Sequence, residues 1–106
     1  TANGIIISNG ASNANVITSS ALTNEAMFVD YVITDTARSN KRAGNIRLVY
    51  NSSQVLLDET STVDIGNTTD FIFTAAINGS NVELRASNAT GQNMIVIYEV
   101  KYLYIV

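Results

Sequence analysis

The chain has 106 residues, enough for one domain with a single core. Charged residues make up 14% of it, below the roughly 25% of ordinary soluble domains, and Asn, Ser and Thr supply the polar balance. A net charge of -3 with a pI near 4.6 excludes the basic stripe a nucleic-acid partner requires, and the absence of His and Cys excludes disulfides, thiolate nucleophiles, imidazole bases and the common zinc sites.

Residues 1–15, TANGIIISNGASNAN, are small and polar around Ile5 to Ile7, and read as an entry segment or short edge strand. The chain begins at Thr1 rather than Met, so a part upstream is expected. Val16 to Leu22 is the next short strand, and Ala26 to Thr34 (AMFVDYVIT) the first long one. In the latter, Met27, Val29, Tyr31 and Ile33 share one face, while Phe28, Asp30, Val32 and Thr34 share the other. Asp35 to Ala43 (DTARSNKRA) is polar and reads as a loop. It is either a solvated hairpin connection or a ligand-contacting loop presenting Arg38, Asn40, Lys41 and Arg42.

Gly44 precedes a strand over Asn45 to Tyr50, with Ile46, Leu48 and Tyr50 facing a core, and Gln54 to Glu59 is its partner. Glu59 to Asp70 is loop-like with a bulge expected near Gly66. Phe71 to Ile77 and Val82 to Ser87 flank Asn78-Gly79-Ser80-Asn81, where Asn-Gly readily supplies the positive φ of a tight hairpin. The closing strand, Met94 to Val106 (MIVIYEVKYLYIV), is apolar on both faces apart from Glu99 and Lys101. One face needs cover from its own domain. The other, with Ile95, Ile97, Leu103 and Ile105, is a candidate oligomer interface. A run this strong at the end of the chain is expected to lie near a C-terminus. Seven or eight short strands with turn clusters between them predict an all-β antiparallel sandwich, jelly-roll or Greek-key, over residues 16–106.

Chemistry-bearing patterns are sparse. Asp58 and Glu59 are adjacent, so on a strand they point to opposite faces and cannot flank one glycosidic bond; a pair drawn from Asp30, Asp64 and Asp70 is left open. The acidic loop positions lack the alternation of a calcium loop, and no metal site or cofactor is expected. No apolar run is long enough for a membrane-spanning helix, so no membrane insertion is expected. Sequons at Asn51, Asn67, Asn78 and Asn88 are close to the about three that this composition yields by chance. The five Tyr residues fall on strands, as core, subunit contact or sugar-stacking surface.

From Met27 onward the order of features resembles a small β-sandwich domain found near the C-termini of tailed-phage virion appendages: tail fibres, tail spikes and neck fibres. The resemblance lies in AMFVDYVI from Ala26, GNIRLVY from Gly44, VLLDE from Val55, FTAAINGSNVELRAS from Phe73 and the strand from Met94 to Tyr102. It implies a virion domain, homotrimeric, set among other virion proteins and contacting a host-surface glycan or protein receptor. It supplies no catalytic residue, and the chain is expected not to be an enzyme. The competing expectations are a capsid decoration or head-fibre domain, and a carbohydrate-binding module of a secreted protein.

Overall fold

The computed structural model describes residues 3–105, whose regular structure is entirely β. The strands are β1 (Asn3–Ile7), β2 (Ala14–Ser20), β3 (Ala26–Asp35), β4 (Lys41–Tyr50), β5 (Val55–Ser61), β6 (Phe71–Asn78), β7 (Asn81–Asn88) and β8 (Met94–Leu103). They form a five-stranded sheet in the order β1-β8-β3-β4-β5 and a three-stranded sheet in the order β2-β7-β6, antiparallel throughout. The chain changes sheet after β1, β2, β5 and β7, and the two layers close as a sandwich, as the strand pattern predicts.

Alternation explains the core. Met27, Val29, Tyr31 and Ile33 of β3 point inward, as do Ile46, Leu48 and Tyr50 of β4 and Val82, Leu84 and Ala86 of β7. Phe71 and Phe73 of β6 complete it, with ring centroids 5.3 Å apart edge to face, and Tyr31 reaches Phe73 at 4.9 Å. Met94 and Val96 of β8 are fully buried, while Tyr98, Val100 and Tyr102 on the same side are half-buried.

Several boundaries differ from the sequence expectation, three of them with structural consequences. β2 starts at Ala14, and a register shift between Asn15 and Ile17 lets both Val16 and Ile17 be buried, which breaks the period-two pattern. β4 starts at Lys41, so the connection after β3 is only a short turn. Arg42 and Ala43 pair with Ile33 and Val32 in the ladder. β8 ends at Leu103, ahead of Tyr104 and Ile105; Val106 lies outside the described residues. The hairpin at Gly79 forms as expected, with Asn78 paired to Asn81 and Gly79 at φ 61°.

One buried polar side chain knits the loops. Asn88 at the end of β7 donates from Nδ2 to the carbonyls of Ile7 (2.9 Å) and Gln92 (2.8 Å). Its Oδ1 accepts from the Thr90 backbone (3.0 Å) and hydroxyl (2.7 Å). This amide is 1% exposed, so the sequon at Asn88 is a turn device and cannot carry a glycan.

Candidate functional surface

The turn after β3 is organised by its own polar groups. The buried Asp35 carboxylate accepts from the Ser39 N–H (2.8 Å), the Asn40 N–H (3.3 Å) and Asn40 Nδ2 (2.7 Å). Burial works to raise its pKa, but the Asn40 side chain and the backbone N–H groups of Ser39, Asn40 and Arg38 outweigh it and hold the carboxyl below its ordinary value. Arg38 sits exposed in this turn at φ 63°. Asn40 also accepts from the Asn67 N–H through Oδ1 (2.9 Å), joining the turn to the loop before β6. Lys41 bridges to Ile65 from the edge of β4. Arg42 faces inward. Of the four candidate ligand-contact residues, Asn40 and Arg42 are thus engaged in hydrogen bonds within the domain, and Arg38 is exposed.

Arg42 is the centre of a polar cluster at one end of the sandwich, with a side chain 11% exposed. Its Nε donates to Tyr31 Oη (3.1 Å), Nη1 to the Thr68 carbonyl (3.1 Å), and Nη2 to Glu59 (3.3 Å) and the Phe71 carbonyl (3.2 Å). Tyr31 Oη donates to the same Glu59 carboxylate. Burial, reinforced by the hydrogen bond to Glu59, pushes the Tyr31 phenol up to about 12, although Arg42 opposes this. The phenol crosses over Gly44, where a Cβ would come within 2.9 Å of Tyr31 Oη and collide with the Thr60 carbonyl. Asp64 binds the Thr68 hydroxyl and N–H, and these bonds hold its carboxyl below the ordinary value. The cluster thus stitches β3, β4 and β5 to the loop that precedes β6. A charged residue inside a strand gave no periodic signal, so nothing in the sequence marked Arg42 as inward-facing.

The larger candidate is the outer face of the five-stranded sheet, on which nothing packs among the described residues. Strand register arranges it in rows. Leu103, Ala26, Val49 and Leu56 form an apolar row across β8, β3, β4 and β5. Next come Lys101, Phe28, Arg47 and Asp58, with Arg47 paired to Asp58 and Lys101 Nζ 5.9 Å from the Phe28 ring centre. A row of Glu99, Asp30, Asn45 and Thr60 follows. Beyond it Ile97, Val32 and Ala43, then Ile6 and Ile95, make a second apolar patch. Val63 and Ile65, exposed on the neighbouring loop, extend that patch. A shallow depression of about 300 Å³ lies between Asp30, Val32, Ala43, Ile97 and Glu99.

This face holds the candidate interface residues Ile95, Ile97 and Leu103, while Ile105 is exposed beyond the end of β8. The sequence missed Val49 and Leu56, exposed at 57% and 59%, because a strand with one polar face and isolated apolar residues looks ordinary until its neighbours are known. The Tyr residues lie elsewhere: Tyr31 and Tyr50 are buried, Tyr98 and Tyr102 are half-buried on the inner side, and only Tyr104 is exposed. Among the described residues no row of aromatic rings is presented on the surface.

No family model and no curated protein sequence matches the chain. Among solved structures, it is similar to the tailspike protein of Acinetobacter phage vB_ApiP_P1, with a TM-score of 0.52 and 14% identity, over 95% of this chain and 21% of that one. It also matches tailspike protein gp49 of Acinetobacter baumannii bacteriophage Fri1, a capsular polysaccharide depolymerase, with a TM-score of 0.38 and 13% identity, over 96% of this chain and 19% of that one. The chain spans about a fifth of the length of either, and the likeness is one of fold. At that level the resemblance to phage appendages holds.

The expectation that the chain is not an enzyme is withdrawn, because one of the structures it matches is a capsular polysaccharide depolymerase, an activity stated of that protein. Lack of His and Cys removes imidazole and thiolate chemistry, but glycosidic cleavage needs only two carboxylates, and the chain has nine Asp and Glu residues. Asp58 and Glu59 do diverge, Glu59 turning in to Tyr31 and Arg42 while Asp58 pairs with Arg47 outside. Asp30 and Glu99 stand opposite one another in the ladder between β3 and β8.

Proposed function

We propose that this chain is a β-sandwich domain of a tailspike-type or tail-fibre-type virion appendage, assembled as a homotrimer, that attaches the particle to a host-cell surface. The observation that carries the reading is the fold likeness to a phage tailspike over 95% of this chain. The exposed aliphatic surface of the five-stranded sheet supports it, since such a surface suits subunit packing. Residues 16–106 are the body of the domain, and residues 1–15 bring the chain in along its edge through β1. In the particle it sits outside the cell among other virion proteins, and its ligand is a surface glycan or protein. Three equivalent weak sites on one rigid tip gain avidity without any single strong contact. Of the four candidate contact residues, Arg38 is the one in the exposed class, at a turn.

The test uses the purified chain with encapsulated bacteria and their isogenic capsule-free counterparts, starting from Acinetobacter strains. Adsorption, light-scattering mass and release of reducing ends from purified capsular polysaccharide are followed together. Trimeric mass with capsule-dependent adsorption is expected. A monomer that adsorbs to neither kind of cell would end this reading.

A further inference from the structure

We propose that the outer face of the five-stranded sheet is the surface on which copies of this chain pack against one another, with its charged rows setting their register. The inference rests on the oligomeric reading above and specifies where the contact lies. Size is the first argument. Five strands about 4.8 Å apart, crossed by a central strand of 10 residues rising about 3.4 Å each, give a face on the order of 700 Å². That approaches the about 800 Å² each partner contributes to a standard interface.

Composition is the second argument. The exposed apolar side chains of the face are aliphatic, with Phe28 its one ring, so it suits close packing against protein more than stacking on sugars. Charge is the third. Lys101 and Arg47, the latter paired with Asp58 of its own row, lie one row from Asp30 on the same face, with apolar rows on either side. Both signs on one face suit a second copy, which carries the same mixture, better than a partner of one sign, while the aliphatic rows remain in contact. A partner that was uniformly basic or uniformly acidic would meet repulsion from one of the two rows. Charge pairing across an interface fixes register more than it adds affinity.

The chain contains no Cys, so single introduced thiols report without background. Ile97→Cys and Val49→Cys place one on each apolar patch, and Thr74→Cys places a control on the exposed side of the three-stranded sheet. Maleimide labelling rates are measured across a dilution series alongside light-scattering mass. Labelling of the two outer-face thiols is expected to slow at least about tenfold where the chain is oligomeric and to recover on dilution, with Thr74→Cys unchanged. Lys101→Glu is expected to weaken assembly, and the swapped pair Lys101→Glu with Asp30→Lys to restore it. Oligomers whose outer-face thiols label as fast as the control would overturn the assignment of the face and leave the oligomeric reading standing. A monomer at every concentration overturns both, and assigns the face to another segment or another protein.

Discussion

Two tyrosines separate what a hydroxyl does from what a ring does. Tyr31 Oη is held between Glu59 and Arg42, whereas the Tyr50 hydroxyl is buried and closes no hydrogen bond of ordinary geometry among the described residues. Tyr31→Phe is therefore expected to cost about 1–2 kcal/mol, and Tyr50→Phe to be neutral or slightly stabilising, in urea denaturation near pH 7. The pH dependence has a definite sign. A phenol raised to about 12 keeps its proton better folded than unfolded, so its contribution is complete below the unfolded value of about 10 and is lost as pH climbs toward 12. Burial raises Tyr50 as well, with the nearby Tyr102 adding to the effect. The alkaline loss of stability should thus be shallower in Tyr31→Phe than in the parent chain but not abolished. An unchanged alkaline limb would show that Tyr31 does not titrate against Glu59 as described.

At the scale of elements, the turn after β3 and the loop before β6 act as one latch on the open end of the sandwich. Asp64 holds Thr68, whose carbonyl receives Arg42, and Asn40 holds both Asp35 and the Asn67 N–H. Asp64 and Asp35 are both depressed, so their contributions are present above the ordinary carboxylate pKa and vanish as pH falls through the lowered values. Asp64→Asn should lower stability at pH 7 and flatten the acid limb of a melting-temperature profile; a parallel, merely shifted profile would place the acid sensitivity elsewhere. Sequence reasoning found the polar residues of this region but not their arrangement. Alternation reports which residues share a face and leaves strand partners unspecified, so Arg42, sitting between polar neighbours, looked like part of a loop. The Asn78-Gly79 hairpin was legible because its signal is local, a positive φ at Gly79 between two alternating strands. The face of outward rows was legible only on β8, where both sides are apolar. On β4 and β5 it emerges from register, which no single strand encodes.

At the scale of the whole molecule, two adjacent residues of β8 distinguish folding from association. From sequence alone, Ile97→Asp disrupts either one, because a strand apolar on both faces does not declare which side is inside. In the structure Val96 is 1% exposed within the core and Ile97 is 40% exposed on the outer face. A carboxylate at position 96 would be buried with no designed partner, at a cost of more than about 3 kcal/mol, a large part of the stability of a domain this size. At position 97 in a separated chain it reaches water, and the penalty falls only when another copy covers it. Val96→Asp should therefore unfold or strongly destabilise the domain, whereas Ile97→Asp should keep the parent circular dichroism spectrum while its light-scattering mass falls. Both are read on the same samples, by melting and by mass over a dilution series. If Ile97→Asp also unfolds, the outer face contributes to the fold itself. If it keeps both its melting temperature and its oligomeric mass, copies meet through some other surface, and the aliphatic rows await a different partner.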